Sequence, residues 1–222
     1  NFDCIVLHLT LVPFLAASGE LKTKPTQHSV KQLLESGVQP DILALRTEHK
    51  LTEGVKEKVA LFCNIAPEAV IQAIDASSIY DVPNLMKEEG LDKVVLDKLS
   101  LPHNEEPLLT AWNEVLNKIK EPKNKVSIGL VGKYIELKDS YKSISEALIH
   151  AGADNETKVD IKWIHSEGIN NDNAAQKLSN LDGILVAPGF GERGIEGKIA
   201  TIKFVRENKI PFFGIWLITK NN

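Results

Sequence analysis

The chain has 222 residues, and at roughly 150 residues per domain that length predicts two compact units, one of them incomplete. With 43% hydrophobic and 25% charged residues, the composition excludes a disordered chain, because enough apolar surface is available to offset the conformational entropy of folding. The 26 basic and 30 acidic residues leave a net charge of −4 with both signs mixed along the chain, which excludes a broad nucleic-acid footprint and makes any anion site local.

The apolar start, 4–17, has the length of a signal-peptide core, but Asn1, Phe2 and Asp3 supply no positive charge and His8, Thr10 and Pro13 interrupt it. It is also too short and too broken to span a bilayer. Residues 4–10 instead predict a strand covered on both faces, which implies a parallel sheet. Thr26 is placed to cap a helix over 27–36, with Val30, Leu33 and Leu34 on one face and Gly37 as its stop. A strand at 41–46 follows, then a helix capped by Thr52 and running to Cys63, with Val55, Val59 and Phe62 at helical spacing, then a strand at 69–74. That alternation predicts a doubly wound α/β domain.

Between 82 and 99 two shorter helices are separated by Gly90. Residues 107–120 predict a clearer one, because Leu108, Leu109, Trp112, Val115, Leu116 and Ile119 form one stripe. The charged, proline-containing stretch 121–125 predicts a linker between units 1–120 and 126–222. The second unit repeats the pattern: strand 126–131, helix 140–150 closed by Gly152, strand 159–164, a short helix near Ala174, strand 183–186, helix 196–207 and strand 211–216.

The segment richest in chemistry is Lys22-Thr23-Lys24-Pro25-Thr26-Gln27. Two ammonium groups flank a proline-stiffened loop that feeds a helix N-terminus with free N–H donors, a combination that holds a polyphosphate. The same residues also suit a solvated loop with two surface lysines, and they lack a Walker glycine pattern. Asp75, at a strand end, suits ribose or base recognition or the cap of the next turn. Gly189 and Gly191, between a strand and a helix, suit close backbone approach to a ligand and an oxyanion-type site. The six histidines show no metal-ligand spacing, so no metal site is expected from this chain alone. Tyr80, Trp112 and Trp163 read as core or interface aromatics. Cys4 and Cys63 make no disulfide framework, and a reducing, cytosolic compartment is expected.

Leu9-Thr10-Leu11-Val12-Pro13-Phe14, the stretch 18–29, Gln39-Pro40-Asp41-Ile42 and Ala60-Leu61-Phe62-Cys63-Asn64 resemble the C-terminal part of the synthase domain of the CTP synthase family. Val131-Gly132-Lys133-Tyr134 and the stretch 189–198 resemble the opening of its glutamine amidotransferase domain. The resemblance implies the remainder of a P-loop-type amidoligase domain, followed by an incomplete flavodoxin-like class I glutaminase domain. It further implies a ligase that uses ATP to phosphorylate the 4-oxygen of UTP and replaces it with ammonia from glutamine, giving CTP. By the same resemblance Lys22, Thr23, Lys24, Pro25, Thr26, Gln27 and Lys58 bind the pyrimidine nucleotide, Ile74, Asp75 and Ala76 meet ATP, Gly189 meets glutamine, and Arg193 and Gly194 meet the GTP activator. Mg²⁺, a cytoplasmic homotetramer, and no nucleic-acid or membrane partner belong to the same expectation.

The sequence departs from that family in three places. Ala187-Pro188 stands where many members carry proline and glycine. At the expected nucleophile elbow Gly-X-Cys-X-Gly the chain reads Gly214-Ile215-Trp216-Leu217-Ile218, so Trp216 occupies the cysteine position. The phosphate loop and acidic Mg²⁺ ligands that members carry earlier in the chain are not among these residues. The expectation is therefore a fragment, inactive alone. Its alternatives are a non-catalytic nucleotide-binding or partner-binding α/β module and an unrelated flavodoxin-like enzyme.

Overall fold

The computed structural model describes residues 4–102, 108–189 and 191–215. It divides into two compact units, 1–109 and 110–222.

In the first unit, strands β1 (Leu7–Leu11), β4 (Ile42–Thr47) and β5 (Val70–Ile74) form a parallel sheet in the order β1-β4-β5. A two-stranded antiparallel hairpin, β2 (Phe14–Leu15) with β3 (Glu20–Leu21), stands before helix α1 (Lys24–Glu35). Strand β4 is buried on both faces because its side chains alternate between two helical layers. Leu43 and Leu45 meet Val30 of α1 and Val59 of α2 (Glu53–Cys63), while Ile42 meets Met86 of α3 (Val82–Glu88) and Leu91, Val94 and Val95 of α4 (Leu91–Lys98).

The second unit opens with α5 (Thr110–Lys120). Its parallel sheet has the order β7-β6-β8-β9, from β6 (Asn124–Gly132), β7 (Thr157–His165), β8 (Gly183–Val186) and β9 (Phe212–Gly214). One face packs on α7 (Ala174–Leu178) and α8 (Ile195–Glu207) through Val131, Ile184, Val186, Leu178, Ala200 and Val205. On the other, Leu130 and Leu185 meet Tyr141 and Ile144, at the start of α6 (Lys142–Asp154). Both units are thus mixed α/β with parallel sheets, as the alternation of patterns predicts.

Several details differ from the sequence expectation. Strand β1 is not covered on both faces: among the described residues it is a sheet edge, and Leu7, Leu9 and Leu11 are 43%, 62% and 52% exposed. Thr26 caps nothing, because α1 begins earlier, with Thr23 at the N-cap position and Pro25 in its first turn. Phe62 of the expected α2 stripe faces outward at 63% exposure. The 121–125 stretch is no free linker, since β6 already starts at Asn124, and α5 packs against α6 and β7 of the second unit. On α5 only Leu116 of the expected stripe is fully buried. Gly152 does not stop its helix: α6 runs through it, and a Cβ there would lie 2.5 Å from the Thr157 carbonyl oxygen, so its smallness serves the approach of helix to strand. The end of the expected last strand, Trp216 included, lies outside the described residues.

Candidate functional site

The Lys22 to Gln27 segment lies beyond the carboxyl end of β1, where ligands of open parallel sheets sit. The Thr26 hydroxyl, fully buried, donates to the Leu11 carbonyl at 3.0 Å and lies 3.0 Å from the Thr10 hydroxyl, pinning the first turn of α1 onto the strand. Thr23 is also buried and accepts from the Gln27 amide at 3.3 Å. These contacts hold the turn while Lys24 and Pro25 stay exposed. The Lys22 ammonium pairs with Glu20, and that hydrogen bond holds the Glu20 carboxyl below its ordinary range. Lys58 is exposed on α2, which packs beside α1 on the same sheet face. The structure thus places Lys22 to Gln27 together at the carboxyl end of β1, with Thr23 and Thr26 spent on the scaffold, and puts Lys58 on the adjacent helix.

Ile74, Asp75 and Ala76 line a cleft of about 380 Å³ with Leu7, Leu9 and Met86. Asp75 does not cap the following turn. The Ser78 hydroxyl does, accepting from the Tyr80 N–H, and Asp75 instead pairs with the Arg46 guanidinium at 3.2 Å. The wall of this cleft formed by α3 and α4 is tied down by Glu89, whose carboxylate accepts from the Lys56 ammonium at 2.7 Å and from the Gln72 backbone N–H at 3.0 Å. The Gln72 side chain in turn accepts from the Leu51 N–H at 2.6 Å. An apolar cleft with an ion pair on its rim suits a flat nitrogenous ring and its sugar. Among the described residues no group of three or more His, Cys, Asp or Glu could hold a metal ion, and no helix is long and apolar enough to cross a membrane.

In the second unit, β6 connects to β7 on one side, while its other neighbour β8 leads on to β9, which makes the gap between their carboxyl ends a topological switch point. Gly189 lies there, after β8. Arg193 pairs with Glu167 at 2.8 Å, and its guanidinium sits 5.8 Å from the centre of the Tyr134 ring. Gly194, at φ +78°, is the N-cap of α8, and a Cβ there would collide with the Ser166 hydroxyl. Two residues that sequence reasoning left without a role lie beside Gly189: Lys133, 7% exposed, and Lys198, 2% exposed. The available signal was the register of α8, where Lys198 shares its buried stripe with Thr201 and Val205.

The geometry defines a chain of two successive α/β units with parallel sheets, and comparison with known proteins says which domains they resemble. A family model described as CTP synthase N-terminus matches residues 1–101, and one described as glutamine amidotransferase class-I matches 136–217. Proteins named CTP synthase from Flavobacterium johnsoniae and Flavobacterium psychrophilum are 67% and 68% identical over 213 residues, covering 96% of this chain and 40% of each relative. One of the same name from Methanocaldococcus jannaschii is 54% identical over 219 residues, with the same coverage. The chain belongs to the CTP synthase family. It spans about 40% of the length of the curated relatives it matches.

Proposed function

We propose that this chain supplies the nucleotide-facing and glutamine-facing parts of a ligase that converts UTP to CTP. ATP, when bound, supplies the phosphoryl group that turns the uracil 4-oxygen into a leaving group; ammonia from glutamine then takes its place, releasing phosphate. In this reading Lys22 and Lys24, with Lys58 from the neighbouring helix, offset the charge of the UTP triphosphate, and the α1 N-terminus adds backbone donors. Ile74, Asp75 and Ala76 face the ATP base and ribose in the cleft, Gly189 receives the glutamine, and Arg193 with Gly194 meets a GTP activator. A homotetramer in the cytoplasm using Mg²⁺ completes the proposal, with no step assigned to a metal held by the described residues.

The observation that supports it most is the placement of Lys22 and Lys24 at the start of α1, beyond the carboxyl end of β1, with Lys58 exposed on the adjacent helix α2. Trp216, at the position of the nucleophilic cysteine, favours a second reading for the chain taken by itself, a non-catalytic nucleotide-binding module. Calorimetric titration of the chain with UTP tests both readings. Binding that falls at least tenfold, about 1.4 kcal/mol, in Lys22→Ala/Lys24→Ala supports the nucleotide site, while unchanged or absent binding overturns it. Glutamate release from glutamine by the purified chain would overturn the second reading.

A further inference from the structure

The loop after β8 is held from two sides. The Ala187 N–H donates to the Val131 carbonyl at 2.8 Å, continuing the β6–β8 pairing, and the Ala187 carbonyl accepts from the Lys198 ammonium at 2.9 Å. Pro188 has no N–H, so the first donor beyond the strand is the amide of Gly189. With the Ala187 peptide fixed at both ends and the ring of Pro188 restricting φ of the next residue, Lys198 anchors the backbone from which the Gly189 N–H projects. A Cβ at Gly189 would lie 3.0 Å from Lys133 Cε and 3.4 Å from Lys198 Nζ, so the loop rests directly on the two lysines.

Burying an ammonium is costly unless its hydrogen bonds serve a purpose. Burial, and then the neighbouring Lys133 charge, pushes the Lys198 ammonium below the ordinary lysine range. Among the described residues its hydrogen-bond acceptor is a loop carbonyl and not a carboxylate, and an apolar side chain would fill the same volume at less desolvation cost. The expense is explained by what the carbonyl does for the amide that follows it.

We infer that Lys198 is a positioning residue for the glutamine-facing loop, orienting the Gly189 amide as a donor to the substrate's carbonyl or to the oxyanion derived from it. This rests on the proposed glutamine role of Gly189, and the test separates the two. In the ¹⁵N-labelled full chain, Lys198→Met is expected to shift the Gly189 amide resonance. Strand resonances at Leu130 and Val131 are expected to stay in place, Lys198→Arg to restore the wild-type pattern, and Lys203→Met, on the exposed face of α8, to change nothing. L-glutamine affinity is expected to fall about tenfold in Lys198→Met. An unchanged Gly189 amide in Lys198→Met overturns the inference. Failure of the wild-type chain to bind L-glutamine sinks the role of Gly189, while the amide measurement still decides that of Lys198. Should Lys198→Met not fold, alkaline titration of the wild type decides: the Ala187 carbonyl carbon must move with the Lys198 side-chain resonance, and independence of the two overturns the inference.

Discussion

The lysines of the two units are used in opposite ways. Lys24 and Lys58 stand in solvent on turns that hydroxyls and apolar contacts already hold, whereas Lys198 is sealed beneath the loop it supports. A solvated cation can be given up with little structural loss, because water screens it before and after folding. A sealed one is part of the packing, and its removal is felt by the backbone it touches.

The largest effect expected from breaking this contrast comes from the seat of α8. A Cβ at Gly197 would collide with the Ser166 backbone carbonyl, so Gly197→Ala is expected to cost the second unit about 3 kcal/mol in urea unfolding. Next comes the Glu89 latch of the first unit, where both partners are mostly buried, at 20% and 18% side-chain exposure. Glu89→Gln is expected to cost about 2 kcal/mol, and a double-mutant cycle with Lys56→Met measures the coupling. Lys24→Met, by contrast, is expected to leave the unfolding midpoint within about 0.5 kcal/mol, with its effect confined to UTP affinity.

The pH dependence sharpens the contrast further. The folded chain holds the Lys198 proton less tightly than the unfolded chain does. The penalty is therefore fully present below the folded pKa and disappears as pH rises from there to the ordinary lysine value. The stability of the wild type relative to Lys198→Met is expected to climb across that alkaline window, measured by denaturant unfolding at stepped pH. The smallest expected effect concerns the thiols. Exposed Cys4 is expected to react with a thiol reagent in the native state, and buried Cys63, its thiol pushed up by burial, only as the chain unfolds.

The readable and unreadable parts of the sequence divide along the same line. The Lys22 to Gln27 segment stood out in the sequence because its residues are consecutive and its helix start is local. The α/β alternation was legible for the same reason: each element carries its own period. Lys198 was not, because its partner lies eleven positions away and only the sheet order brings them together. The edge position of β1 was hidden because a strand's apolar run does not say how far the covering helices reach. The packing of α5 on α6 and β7 was not legible because its stripe shows that the helix has an apolar face, and not which neighbour receives it.

The Glu89 latch has one more consequence. Moving the end of α3 away from α2 and β5 would have to break three bonds to a single carboxylate. The α3 side of the cleft beside Ile74, Asp75 and Ala76 is therefore held in place before any guest arrives, and a ligand entering it would meet a preformed template instead of a wall that moulds itself around it.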